Sequence, residues 1–251
     1  MTSLYPEIKI DRIKNPSKLY AIPLLGFFIK LIMIIPVGIE LWFLSIIQFF
    51  MSILNACNIF FRGRYWKAAY EINLGIMQLE TNVSFFLFGL TDTYPGFSLK
   101  TTTYHMTIDF NKSPNRFFAT PLLGVIIRSI LLIPYFVYRQ IVSLAAFLAV
   151  IVSWIFVLFK GSYPETTYEI VRDSVRVDQA VTMYFLGMSD SYPSWWISLN
   201  HKTLKIVLLV IAAILTLLSF GQKFGGSDKS PQMEKAHTNT AAQQMPRTYS
   251  Y

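Results

Sequence analysis

The chain has 251 residues, 53% of them hydrophobic and only 14% charged, with a mean hydropathy of +0.44 and a formal net charge of +8. Soluble domains carry about 25% charged residues, so this is a membrane protein's balance. The basic residues sit at the edges of apolar runs rather than in a stripe on a soluble module, which argues against a nucleic-acid partner and for membrane orientation and contact with anionic headgroups.

In chain order the first element is an alternating stretch, YPEIKID at 5–11, whose period of two marks a short strand. An apolar helix follows from about Ser17 to Ile35, with a stop at Pro36, because proline removes a donor and clashes with the preceding turn. A second, longer apolar helix runs to FFRGRYW at 60–66, where Gly63 fits a C-cap. Its single cysteine, Cys57, lies inside an apolar run, so no intramolecular disulfide forms. A third, amphipathic helix leads to the phrase LTDTYPGFSL at 90–99, whose Asp-x-Tyr-Pro ends it.

The chain then writes the same order again. An offset of 98 separates Pro16 from Pro114, Pro36 from Pro134, Gly63 from Gly161, Tyr65 from Tyr163, Glu71 from Glu169 and Asp92-Thr93-Tyr94-Pro95 from Asp190-Ser191-Tyr192-Pro193. The register never slips from about Ile10 to Leu99, which makes the chain a tandem duplication of a unit near a hundred residues, too long for a solenoid layer. In the second copy the third helix shows its start signals, with Ser162 as cap, Pro164 in the first turn and Glu165 three after the serine.

The expected organisation is a first repeat at 5–100 (two membrane helices, an interfacial helix and flanking strands), a second at 103–200, a transmembrane helix at 203–220 and a disordered tail at 221–251. This makes an α-helical integral membrane protein with a small β-sheet at the membrane surface. The third helices either lie in the interface plane or pack on that sheet. If each copy crosses the membrane twice, the basic clusters fall on one side, which the positive-inside rule makes cytoplasmic, and the copies share one orientation about a pseudo-two-fold along the membrane normal.

These residues resemble a bacterial membrane-protein family known only as domain of unknown function 4389. Its units run from a Tyr-Pro start through a proline-bearing apolar segment to a Gly-Arg-Tyr-Pro-like junction and a terminal Asp-x-Tyr-Pro-x-Phe phrase. Here these correspond to Tyr5-Pro6, Pro36, Gly63-Arg64-Tyr65 and Asp92 to Phe97, then to Pro134, Gly161 to Pro164 and Asp190 to Trp195. The resemblance covers roughly 5–200, twice over, and departs where the family has an Arg-Trp and a later Arg, here Gln78-Leu79 and Arg176-Val177. It implies two tandem copies in a bacterial cytoplasmic membrane and supplies no activity.

No catalytic set, cofactor motif or metal-ligand spacing stands out; His105, His201 and His237 are scattered. The chemistry worth weighing is the basic residue inside each first helix, Lys30 and its counterpart Arg128, each on a stripe with a glycine (Gly26, Gly124). Ionisable groups at membrane depth cost about 2.5–3.5 kcal/mol on insertion scales and are functional candidates by default, although both side chains also snorkel to water readily. As a pair they would bind an anion, a lipid phosphate or acidic solute, and leucine at both positions would leave the fold intact or stabilise it. The expected function is a non-enzymatic membrane scaffold or assembly factor, with the lipid bilayer, anionic lipids and membrane proteins as partners; the alternative is a small transporter or anionic-lipid-binding module.

Overall fold

The computed structural model describes residues 7–10, 13, 15–22, 25–99, 105–107, 114–120, 122–193, 195 and 202–225. The Tyr5-Pro6 start, residues 101–103 between the repeats, His201, His237 and the tail beyond 225 lie outside them, as does the strand expected to flank the second repeat at 194–200 apart from Trp195, which is not in a strand. By contacts the chain divides into two units, Met1–Ala212 and Ala213–Tyr251. The first contains everything discussed below.

Its elements are β1 (Glu7–Lys9), α1 (Lys18–Ala21), α2 (Leu25–Arg62), α3 (Lys67–Phe88), β2 (His105–Thr107), α4 (Leu123–Lys160), α5 (Glu165–Phe185) and the start of α6 (Lys202–Gly225). Corresponding helices of the two halves begin 98 residues apart, α2 with α4 and α3 with α5.

Pro36 and Pro134 do not stop a helix: each lies inside a continuous helix of 38 residues. The expected pair of apolar helices is therefore one element, about 57 Å long at 1.5 Å per residue. What precedes it is a short turn, α1 in the first half and residues 116–119 in the second. Proline withholds only one donor, the one that the carbonyl of Ile130, four residues before Pro134, would otherwise meet; at the next carbonyl, Leu131, the Tyr192 hydroxyl donates at 3.1 Å. Gly161 caps α4 in the left-handed conformation, as its position predicts, with its N–H on the Val157 carbonyl at 2.9 Å. The start of α5 is corrected by two residues, with Pro164 rather than Ser162 at the N-cap.

The small β-sheet expected at the surface is also corrected. Among the described residues the only ladder is a three-residue antiparallel pairing of β1 with β2, and Gly96 to Leu99 form turn and bend rather than strand. Its central pair, Ile8 opposite Met106, is again 98 apart, so a pseudo-two-fold axis runs through it.

The third helices are not surface elements. Thirteen of the 21 residues of α5 are buried, including Asp173 and Gln179 from its polar face, and α3 buries Asn73, Thr81 and Asn82. They pack against each other, each against the long helix of its own half. One core gathers Tyr70, Met77 and Phe85 of α3, Ala145 and Ala149 of α4, and Val171 and Val175 of α5.

The first long helix reverses the usual amphipathic order. On α2 the buried positions are Gly26, Lys30, Val37, Gln48, Ser52, Asn55 and Ile59, one face at helical spacing that carries the helix's polar groups. The opposite face, with Phe28, Ile32, Ile35, Ile39, Phe43 and Phe50, is apolar and exposed. Only 11% of its most apolar window is buried, against 39% for α4.

Candidate functional site

Lys30 and Arg128 are both 3% exposed, yet they sit on long apolar helices. Each is met by the aspartate of the repeated phrase. Arg128 Nη2 donates to Asp190 Oδ1 at 2.6 Å, and its Nη1 donates to the Tyr184 and Ser189 carbonyls, each at 2.6 Å. Lys30 Nζ lies 3.5 Å from Asp92 Oδ1 and 4.8 and 4.9 Å from the ring centres of Tyr20 and Phe86. Arg128 has the matching pair of rings, Phe118 at 5.4 Å and Tyr184 at 5.0 Å, so cation–π attraction adds to each ion pair.

The second oxygen of each aspartate anchors the start of its own half. Asp92 Oδ2 accepts the Ser17 N–H at 2.7 Å, and Asp190 Oδ2 accepts the Asn115 N–H at 2.7 Å. One carboxylate thereby ties three segments: the entry turn, the long helix and the end of the third helix. The phrase that the chain repeats is one jaw of a clasp, and the basic residue 62 positions earlier is the other.

The glycines of both motifs make the clasp close. A Cβ on Gly26 would lie 2.2 Å from the Tyr20 carbonyl oxygen, and one on Gly124 would lie 2.1 Å from that of Phe118. Their close approach is to the entry turn. Gly89 and Gly187 have φ of +81° and +71°, the left-handed region that favours glycine, and they bring the chain against Lys30 and Arg128.

Each clasp is closed by the other half. Around Lys30 and Asp92 stand Trp154, Val157 and Tyr163 from the end of α4 and its junction; around Arg128 and Asp190 stand Ser52, Asn55 and Ile59 from the end of α2. Tyr163 donates to the Phe88 carbonyl at 3.5 Å, and burial pushes its phenol up to about 12. Burial and then the Asp190 carboxylate raise the phenol of its counterpart, Tyr65. The start of each long helix thus lies beside the end of the other, and α2 and α4 run antiparallel. The space beside each clasp is about 20 Å³, room for a water molecule and not for a lipid phosphate. The anion that each cation faces is the chain's own aspartate.

The remaining signature residues divide. Tyr94 stacks edge-on against Phe86, the Pro95 carbonyl accepts the Asn82 amide at 3.4 Å, Pro193 is buried, and Gly63 caps α2 with its N–H on Ile59. Glu71 forms an exposed pair with Lys67 on the surface of α3. Its counterpart Glu169 instead meets the fully buried Lys205 of α6.

A second feature has no counterpart in the sequence reading. Between α2, α3, α4 and α5 lies an open-sided groove of about 420 Å³, walled by Phe49, Phe136, Val181 and Phe185, with Ser45, Gln48, Glu80 and Thr182 as its polar lining. The Gln48 side-chain amide nitrogen is buried without a hydrogen-bond partner. Glu80 is held by the Gln179 amide, and burial raises its carboxyl above the ordinary 4.5.

The fold therefore defines a mostly helical protein with two helices long and apolar enough to cross a membrane. Residues 123–197, the second half from the start of α4 to the repeated phrase, match the family described as Domain of unknown function (DUF4389); the match covers one copy. No curated protein matches the chain, and no solved structure does. Among the described residues no three His, Cys, Asp or Glu side chains stand close enough to hold a metal ion.

Proposed function

We propose that the chain is an integral membrane protein built from two tandem copies of the DUF4389 module, and that it works without chemistry of its own, as a scaffold for membrane-protein partners. The observation that carries this reading is the reversed face of α2, with Lys30, Gln48, Ser52 and Asn55 turned inward and large apolar side chains turned outward. In water that arrangement exposes what should be buried; against lipid it is the stable one, because hydrocarbon solvates the outer face and the protein satisfies the inner one. The clasps support a scaffold rather than a site that binds and releases an ion, since their charges are spent on holding segments together.

Affinity purification of the full chain from its native membrane, with proteins and lipids both identified, tests the proposal. A reproducible protein partner at fixed stoichiometry is the expected result. A chain released from membranes by alkaline washing without detergent would overturn the membrane reading, and one recovered with a stoichiometric solute and no protein would overturn the scaffold.

A further inference from the structure

The two junctions between long helix and third helix are built on one plan and finished differently. At the first, the chain leaves α2 through Arg62, Gly63 and Arg64; at the 98-residue offset the second has Lys160, Gly161 and Ser162. The entry turn of the second half adds Arg116 to the first junction: a Cβ on Gly63 would lie 2.7 Å from Arg116 Nη2, so the guanidinium lies directly on the glycine. The counterpart pair, Lys18 and Gly161, makes no such contact, since a Cβ on Gly161 would meet nothing within 4 Å. Lys160 is instead drawn over the ring of Phe156, 5.0 Å from its centre. In the first half that ring is replaced by Asn58, whose amide donates to the Arg64 carbonyl at 2.7 Å. Asn55 accepts the Trp66 N–H at 2.9 Å, so two asparagines of α2 fix the backbone that carries the arginines. The Cα atoms of Arg62 and Arg64 each stand about 3.8 Å from that of Gly63. Among the described residues the side chains of Arg62, Arg64 and Arg116 form no hydrogen bond, ion pair or ring contact, and all three residues are exposed.

We propose that this junction is a headgroup site for an anionic phospholipid, with the three guanidinium groups donating to its phosphate oxygens. Like charges gathered on a fixed backbone repel one another, and an anion among them turns that repulsion into attraction. The planar fork of arginine matches phosphate bidentately, which a lysine ammonium does not, and only the first junction is built from arginine. Phe61, Trp66 and Phe117 stand beside the arginines in the sequence and are exposed. Such rings favour the headgroup level of a bilayer and supply the apolar contact that a lipid uses and a free phosphate ion does not. The clasps differ on each count, because their cations are buried and already meet the chain's own aspartates. The inference rests on the membrane reading above only for the source of the lipid, which is the bilayer around the chain.

The test uses the full chain purified in a neutral detergent and titrated with phosphatidylglycerol, bound lipid being counted by native mass spectrometry, with zwitterionic phosphatidylcholine of the same acyl chains as the comparison. Saturable binding of phosphatidylglycerol, roughly tenfold tighter than that of phosphatidylcholine, is the expected result. Arg116→Gln should weaken it about tenfold, the scale of one charge-assisted hydrogen bond, with Tm unchanged because the side chain holds nothing else in place. Lys18→Gln removes the same charge at the matching position of the other junction and should weaken binding by less than about twofold. Equal losses from the two variants would show attraction to net charge alone and overturn the site, as would equal binding of the two lipids. Inorganic phosphate that displaces phosphatidylglycerol at equal concentration would overturn the lipid assignment. Should the chain prove soluble without detergent, the membrane reading fails alone, and the same two variants compared on phosphatidylglycerol vesicles still decide the site.

Discussion

Replacing Arg128 by leucine separates a clasp from an anion-binding cation, because the two readings differ in sign. Two fixed cations waiting for a ligand would repel each other, so removing them should leave the protein unharmed or more stable. In the structure Arg128 is 3% exposed and donates to two carbonyls and a carboxylate, all at 2.6 Å. Leucine leaves the Tyr184 and Ser189 carbonyls without these donors and Asp190 without its counter-charge. Breaking a buried ion pair from one side costs about 3–5 kcal/mol. Asp190 is 19% exposed and retains the Asn115 N–H, which favours the middle of that range, about 4 kcal/mol. For a chain of this size that is a fall in Tm of roughly 10 °C, readable by tryptophan fluorescence on heating in a mild detergent. The pair's second member provides the control. Arg128→Leu combined with Asp190→Asn should be more stable than Arg128→Leu alone, since the amide keeps an acceptor for Asn115 without leaving a carboxylate unpaired. Arg128→Leu with a Tm at or above that of the parent would refute the clasp and return the cation to the ligand-binding reading.

Lys30→Leu should cost less, about 2 kcal/mol by the same measurement, because its carboxylate stands 3.5 Å away, is 25% exposed, and no carbonyl depends on the ammonium. Glu80→Gln should stabilise the protein at neutral pH with little effect near pH 4.5. Burial raises the folded-state pKa, so the folded chain holds the proton more tightly; stability from Glu80 is present below about 4.5 and is lost as pH rises through the raised value. Equal Tm differences across that window would show that Glu80 is not the titrating group. Cysteines placed at Thr93 and Ser191, in a background lacking Cys57, should be labelled from the same side of the membrane; labelling from opposite sides would refute the orientation argued below.

Much of the clasp was legible. The repeat placed Lys30 with Arg128 and Asp92 with Asp190, and both pairs have the same sequence separation, a signal of charge complementarity that reading each motif separately missed. Taking the aspartate as a local turn-former overlooked that its partners lie far back in the chain, Ser17 and Asn115 each 75 residues away. The prolines misled because each withholds a single donor from a helix of 38 residues, and the remaining backbone bonds carry the helix through. The amphipathicity of α5 misled in a different way. A polar face need not turn to solvent when the fold supplies its partners, and here Asp173 and Gln179 are in the core. The groove was invisible to periodicity because it depends on where the halves differ: Leu41 where the other half has Arg139, and Gln48 where it has Ala146.

The antiparallel arrangement of α2 and α4 changes what the duplication means for orientation. If these helices stood upright in a bilayer, the two halves would be inverted, the two aspartate phrases would face opposite sides, and the β1–β2 pairing on the pseudo-two-fold would lie at mid-membrane depth. Lying in the membrane plane, they would instead set the axis along the normal. Three features favour the second. Each helix is about 57 Å long, nearly twice the ~30 Å hydrocarbon thickness. Basic residues mark both ends, with Lys18 and Lys160 beside the first clasp and Arg62, Arg64 and Arg116 toward the second, which splits positive charge across an upright bilayer but keeps it on one face of a flat one. The Arg139–Asp178 pair, with side chains 43% and 33% exposed, sits near the middle of α4. At a bilayer midplane an exposed arginine is costly, whereas at an interface it is ordinary. We propose on these grounds that the long helices lie flat, which would keep the expected axis along the membrane normal without upright hairpins; the labelling at Thr93 and Ser191 tests it.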